Sequence, residues 1–438
     1  MKVSSHIKVT VALRIYRTFL LLATPFIFMR LWWRGRREPE YRRRLAERFG
    51  FVGLSDARSV IWFHAVSAGE VIAAAPLIRR IADHYPGDQV LVTTMTPTGA
   101  EQVAGLLGDV AVHRYAPYDM TFAVKRYWRA VQPRILVLME TELWPNLIHQ
   151  AAMESVPTCL INGRLSVRST QGYQRLAIIS KPMLALLAHI SCQYPAHAER
   201  FQSLGVDPQR LSVSGNLKFD RAVPEDLAQR RTDLIDLCQL QGQLVWLAAS
   251  THRGEESQVL QCFEQLRLRF PQLQLILAPR HPHRAESLVQ LAQSFGYSAK
   301  CLSAMRESVS DTPVGVVIVD QMGVLLPLYD LADVAFVGGS LIPFGGQNPI
   351  EPALVRTPVV SGPHCFNFAE IVEKLVEAGA MYQVTSVTTL VDTVAMLLDD
   401  AVLRERSGAA GYAEAMANKG ASKRVAERLI QLIGDTAQ

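Results

Sequence analysis

Short apolar runs recur along the chain, each followed by a polar loop and then by residues at helical spacing. The runs at 59–63, 90–94, 135–139 and 158–161 are continuous, as expected of strands buried on both faces of a parallel sheet. A second set at 244–249, 273–278, 314–319, 332–337 and 357–360 repeats the pattern. Strands alternating with helices in this way predict an α/β chain of two doubly wound domains. Residues 411–428 read as two amphipathic helical stretches broken near Gly420, the terminal one free to pack back on the first domain. The expected organisation is an arm at 1–38, a first domain at 39–213, a linker at 214–243, a second domain at 244–415 and a terminal helix at 416–438.

The arm has a different pattern. Its apolar stretch carries no charge between Arg17 and Arg30, a gap of 12 residues, whereas a spanning helix needs about 20. Pro25 interrupts it, Trp32 and Trp33 follow, and then come Arg34, Arg36, Arg37, Arg42, Arg43 and Arg44. Aromatic rings beside a basic run suit an anionic membrane surface. A tilted span remains open, as does a helix that is simply buried. No cleavable signal is read, so the body is expected on the cytoplasmic side.

Charge sharpens this division. Residues 1–50 hold 12 Lys and Arg against 3 Asp and Glu, and the remainder hold 33 against 37, so the net +5 belongs to the N-terminus. That distribution argues against a general nucleic-acid surface. The 438 residues, 49% of them apolar, suffice for two ordinary cores. Six cysteines without a CxxC pair indicate free thiols in a reducing compartment and no zinc site.

The candidate chemistry lies where strands end, which is where doubly wound sheets bind ligands. The first run leads into Ser67-Ala-Gly69-Glu70. Glu70 opens a helix and is the candidate general base, although a Glu there also complements the helix dipole, which lowers its pKa and keeps it ionised. Gly69 permits close approach. The next ends carry Thr94 and Thr96, then Glu140 and Glu142, then Arg164. One of the two glutamates is a candidate cap for the helix near Pro145. Arg164 is either an anion clamp or a partner for Glu142.

In the second domain, Arg280 and His281 are candidate phosphate or carboxylate ligands, with a salt bridge across the domain as the alternative for the arginine. Met322 and Gly323 follow the next strand. Gly338-Gly339-Ser340 forms a tight turn whose backbone N–H groups can point at an anion. Asn348 and Glu351 open a helix, and Glu351 is placed to accept from sugar hydroxyls. There is no GxGxxG at the first strand, no Walker A, GxSxG or HExxH, and no DxD after an apolar strand. The expectation is group transfer without a metal or other cofactor.

These motifs, in this order, resemble the 3-deoxy-D-manno-octulosonic acid (Kdo) transferases of Gram-negative lipid A assembly. The resemblance runs over nearly the whole chain. It includes RLWWRGR, HAVSAGE around Glu70, TTMTPTG at 93–99, METELWPN at 139–146, NGRLS at 162–166 and SGNLKFD at 214–220. AASTHRGEE, APRHP, FVGGSL, NPIEPA and SGPHCFNF continue it. The family commonly carries His at the place of Gln347 and Leu at the place of Ile350.

The resemblance implies a GT-B glycosyltransferase, with two Rossmann-like domains facing a central cleft and an N-terminal membrane-associated helix at the cytoplasmic face of the inner membrane. It implies CMP-Kdo as donor, a tetraacyl lipid A precursor as acceptor, inversion at the anomeric carbon and Glu70 as base. Ser67, Gly69, Thr94, Thr96, Glu140, Glu142 and Arg164 would serve the acceptor. Arg280, His281, Met322, Gly323, Gly338, Gly339, Ser340, Asn348 and Glu351 would serve the donor. A GT-B enzyme using a different nucleotide sugar is the nearest alternative; a sugar-nucleotide epimerase and a non-catalytic membrane adaptor are weaker ones.

Overall fold

Strand β1 (Val60–His64) sends its side chains alternately to two cores. Ile61 and Phe63 enter one cluster and Val60 and Trp62 another, the two-residue period of a strand covered on both faces. The computed structural model describes residues 13–18, 20–26, 29, 32–33, 36, 39–54, 59–220, 223–307 and 314–435. They form two compact units, 1–221 with 418–438, and 222–417.

The first unit is built on β1, β2 (Gln89–Thr94), β3 (Ala111–Tyr115), β4 (Pro133–Met139), β5 (Thr158–Gly163), β6 (His189–Cys192) and β7 (Leu211–Val213). The order is β3-β2-β1-β4-β5-β6-β7, with every pairing parallel. The order reverses between β1 and β4, so the crevice expected to take a ligand lies beyond the carboxyl ends of those two strands. The helix Ala68–His84 covers one face. The terminal helix Ala421–Asp435 packs there too, contributing Ala421, Val425, Ala426, Leu429 and Ile433, and each large side chain so buried is worth roughly 1.5–3 kcal/mol. The Asp220 carboxylate accepts from the Gly420 and Ser422 amides and fixes where that helix begins. The helices Thr121–Val131 and Pro145–Met153 cover the opposite face through Val124, Tyr127, Trp128, Leu147 and Ile148.

The second unit carries β8 (Val245–Thr251), β9 (Gln274–Pro279), β10 (Ala299–Cys301), β11 (Val316–Ile318), β12 (Val334–Val337), β13 (Val359–Ser361) and β14 (Met381–Gln383). They run parallel in the order β10-β11-β9-β8-β12-β13-β14, reversing between β8 and β12. Trp246 and Ala248 face one core, and Val245, Leu247 and Ala249 the other.

The segment expected to be a linker at 214–243 is not one. Residues 214–220 belong to the first unit, and the helix Leu227–Cys238 packs Leu234 and Cys238 into the second. In the arm, residues 13–18 and 20–26 are helical. Among the described residues, no helix is long and apolar enough to cross a membrane. Arg34 and Arg37 of the basic run lie outside the described residues.

Candidate active site

Ser67 is extended and caps the helix Ala68–His84, its Oγ accepting from the Glu70 amide at 3.4 Å. Glu70 returns the contact. Its Oε1 accepts from Ser67 Oγ at 2.9 Å and its Oε2 from the Val66 amide at 2.9 Å. This reciprocal cap follows from a Ser at the cap and a Glu three residues later.

Glu70 is only 8% exposed. Burial, reinforced by the negative charges of Glu142 and Glu140, pushes its pKa up to about 8, against the two hydrogen bonds that lower it. The expectation that the helix dipole keeps Glu70 ionised is therefore corrected. Desolvation and two nearby carboxylates outweigh a local dipole. Gly69 is exposed, and a Cβ there would meet nothing within 4 Å, so the fold itself does not demand glycine at that position.

Glu140 and Asn162, at the ends of β4 and β5, both adopt left-handed backbone, φ 51° and 52°. For glutamate this is strain of roughly 1–3 kcal/mol, of a kind that clusters at functional sites, whereas asparagine adopts this conformation readily. Glu140 lies 3.0 Å from Lys218 Nζ and 3.9 Å from Arg164. Arg164 thus partners Glu140, and Glu142 instead accepts from Trp144 Nε1 at 2.8 Å. Neither glutamate caps the helix Pro145–Met153. Asp119 does so, accepting from the Asn146 and Leu147 amides. Asn162 Oδ1 accepts from the Leu217 amide, and its buried Nδ2 has no partner among the described residues.

Thr94 and Thr96 support the same rim. Thr94 Oγ1 reaches His113 Nε2 at 2.9 Å, and Thr96 caps the helix Pro97–Leu107. His64 at the end of β1 is wholly buried. Its Nδ1 contacts Thr93 Oγ1 at 2.9 Å, its ring meets Trp144 edge-on at 4.5 Å, and burial pushes its pKa down to about 3. It is a neutral wall at the end of the strand that leads into Glu70's helix.

In the second unit the Gly338-Gly339-Ser340 turn is already occupied by an anion of the protein itself. The amides of Gly339, Ser340 and Leu341 donate to Glu255 at 2.7–2.9 Å, as does the His252 amide, and Glu255 is 0% exposed. The Gly338 amide donates to Ala249 in the sheet. The expectation that these amides point at an external anion is corrected, because their hydrogens are taken. Gly338 is required for a different reason: a Cβ would stand 2.7 Å from the Ser250 carbonyl oxygen.

Around this turn His252 stacks on Phe344 at 4.4 Å, meets His281 edge-on at 6.0 Å and lies 3.1 Å from Gln347 Nε2. Arg280 is exposed and makes no ion pair with a described residue. The pair the sequence allowed it is made by Arg284, 2.6 Å from Glu256. Asn348 Oδ1 accepts from the Ile350 amide and its Nδ2 donates to Glu351 at 3.3 Å. Met322 is 75% exposed beside Gly323, which has φ +83°. His252, Glu255, Phe344 and Lys218 are the residues not named as candidates from the sequence, although all but Phe344 lie inside motifs singled out there. Among the described residues, no three His, Cys, Asp or Glu side chains are grouped to hold a metal ion.

A family model described as 3-deoxy-D-manno-octulosonic-acid transferase (kdotransferase) matches residues 43–221. The chain is similar to the 3-deoxy-D-manno-octulosonic acid transferase of Haemophilus influenzae, 38% identical over 420 residues that cover 94% of this chain and 97% of that one. It is 32% identical to that of Bordetella pertussis over 436 residues, covering 96% and 99%. Among solved structures, the UDP-GlcNAc 2-epimerase of Neisseria meningitidis aligns with a TM-score of 0.58 at 13% identity, covering 85% of this chain and 100% of that one. A glycosyltransferase from Rickettsia africae aligns with 0.54 at 9%, covering 87% and 100%. At such identities these two speak for the fold alone. The two Rossmann-like units and the near full-length similarity lead to one conclusion: the chain belongs to the 3-deoxy-D-manno-octulosonic acid transferase family, glycosyltransferases of GT-B fold.

Proposed function

We propose that the chain transfers Kdo from CMP-Kdo to a lipid A precursor, inverting the anomeric configuration without a metal or other cofactor, with Glu70 as general base. The observation that carries this reading is the state of Glu70. It is a buried carboxyl at the switch point of its sheet, with a pKa near 8 and each oxygen held by one donor. A base is most effective when its pKa lies near the working pH.

In the proposed step, Glu70 takes the proton of an acceptor hydroxyl as that oxygen bonds to the anomeric carbon. The bond from that carbon to the CMP phosphate breaks, and its electron pair leaves with CMP. A phosphate needs no protonation to depart, so no second carboxyl has to act as acid. Gly69 leaves room for a sugar beside Glu70. Ser67, Thr94, Thr96, Glu140, Glu142 and Arg164 form the acceptor side, with Lys218 beside Glu140.

On the donor side Arg280 offers a cation with no ion-pair partner among the described residues, flanked by His281. Gly338, Gly339 and Ser340 contribute shape, since their amides are engaged elsewhere. Met322 and Gly323 form an apolar wall, and Asn348 and Glu351 meet the ribose and phosphate. The arm would hold the enzyme at the cytoplasmic face of the inner membrane, where such an acceptor resides, and no nucleic acid partner is expected. The test is a transfer assay with purified protein, CMP-Kdo generated in situ and lipid A precursor, read by mass spectrometry with and without chelator. A product heavier by one or more Kdo units supports the reading. An intact donor with folded protein, or loss of turnover restored by a divalent ion, overturns it or its metal-free part.

A further inference from the structure

The first unit contains a pocket of about 310 Å³ remote in sequence from the loop of Glu70, between the helices Thr121–Val131 and Pro145–Met153, with Arg17 of the arm on its wall. Its charged lining is Arg17, Lys125 and Arg129 against Glu154 alone. Arg17 Nε donates to Asn146 Oδ1 at 2.8 Å, which fixes the guanidinium, and Glu154 is turned toward Gln150 at 2.9 Å. Lys125 and Arg129 make no hydrogen bond or ion pair with a described residue. His149 also lines the space, and burial, with Arg17 and Lys125 beside it, holds its pKa below the usual value. Three cations around a small polar pocket repel one another unless an anion joins them.

The arm indicates where that anion comes from. In the arm that carries Arg17, Leu21, Leu22, Phe26 and Met29 are 61–69% exposed, and Met153 on the pocket wall is 68% exposed. A helix that turns large apolar side chains outward beside a cationic pocket matches an interfacial anchor.

We infer that this pocket binds the phosphodiester headgroup of an anionic phospholipid while the exposed face of the arm enters the leaflet. The inference rests on the membrane placement proposed above and not on the identity of the sugar donor. The phosphate group is the recognised chemistry, and free phosphate is the competing source.

The experiment compares full-length wild type with Lys125→Gln/Arg129→Gln, both positions exposed on one helix, for binding to vesicles of phosphatidylglycerol or phosphatidylcholine. A charge-matched control, Arg80→Gln/Lys423→Gln, removes two exposed cations from helices that cover the opposite face of the sheet. The pocket pair should weaken phosphatidylglycerol binding about 25-fold, from roughly fivefold per cation at a membrane surface, and the control less than about twofold, since its charges lie away from that surface.

Soluble glycerophosphoglycerol should shift the His149 ring resonance in wild type and not in the pocket pair. Equal binding by pocket pair and wild type overturns the proposal. Loss of vesicle binding with an unmoved His149 resonance overturns it also, because general attraction then suffices. A His149 shift with inorganic phosphate but not with the headgroup overturns the lipid assignment. Donor turnover in detergent stays near wild type in the pocket pair, so failure here is separable from failure of the transferase reading.

Discussion

Ser67 and Glu70 hold each other from both directions, the serine oxygen accepting from the glutamate amide and donating to its carboxyl at 2.9 Å. The carboxyl is thereby aimed before any substrate arrives, and burial with Glu142 and Glu140 sets it near pH 8. Below that value kcat/KM should rise about tenfold per pH unit and level off above it. Glu70→Gln keeps the shape and both contacts to the serine, so CMP affinity should stay within about twofold while transfer falls roughly 10²–10⁴-fold, the usual worth of a general base. A flat wild-type profile from about pH 6 to about pH 9 removes Glu70 from the proton transfer.

The same shift acts on stability. The folded chain keeps the Glu70 proton up to about pH 8, and the unfolded chain loses it near 4.5. Stability attributable to this group is therefore fully present below pH 4.5 and is lost as pH rises through about 8. The slope is at most about 1.4 kcal/mol per pH unit in that window. Glu70→Gln has no proton to lose, so its Tm relative to wild type should climb between those limits. The check is a pair of unfolding series across the window, and a constant difference contradicts the burial of a protonated Glu70.

Lys218 stands 3.0 Å from Glu140, and Glu140 is one of the two charges that raise Glu70. Removing the cation in Lys218→Gln leaves the Glu140 charge less compensated, and the ascending limb of the pH–rate profile should move to higher pH. Each unit of movement costs about tenfold in rate at neutral pH. Lys218→Arg should restore the limb, which a merely structural loss does not predict. An unmoved limb with lowered kcat assigns Lys218 to substrate contact instead.

A Cβ at Gly69 would meet nothing within 4 Å, and alanine in a helix is favoured over glycine by up to about 1 kcal/mol. Gly69→Ala should therefore hold or raise Tm. If a sugar passes over this backbone, kcat/KM falls while stability does not. Unchanged kinetics in a stabilised variant place the acceptor elsewhere.

The sequence discloses what local pattern controls. Runs such as those around Trp62, Leu136 and Leu247 are apolar on both faces and read directly as central strands. The strands that escape are short or half-exposed. β3 carries His113 and Arg114, β10 is Ala-Lys-Cys, and β7 is three residues with one exposed. In the site, Glu70 was legible because a Ser-to-Glu spacing at a helix start is a local signature. Its protonation was not, since the burial that chiefly sets it, and the carboxylates that reinforce it from a distant strand end, come from the tertiary fold. Lys218 and Arg164 converge on Glu140 only through the sheet order. Glu255 was hidden for a further reason. A glutamate in a first turn ordinarily complements the dipole, and nothing local reveals that it crosses to the turn after β12.

Glu255 supplies the last prediction. Oε2 accepts from the His252 and Gly339 amides and Oε1 from Ser340 and Leu341, with the Gly339 and Ser340 bonds fully buried and the other two partly so. Glu255→Gln keeps the volume but turns an amide NH₂ toward two of these four donors. Each buried N–H left without an acceptor costs about 1–3 kcal/mol, so the second unit should lose roughly 2–6 kcal/mol. Because the loss is expected in the second unit alone, hydrogen exchange, which reads each unit separately, is the fitting readout. The Gly339, Ser340 and Leu341 amides should exchange at least about tenfold faster, each 1.4 kcal/mol being a factor of ten, while β1 and β4 amides in the first unit keep their protection. CMP affinity should fall with the turn, whereas Glu70→Gln leaves it intact. Undiminished protection at Gly339 and Ser340 in the variant contradicts the carboxylate's role in holding that turn.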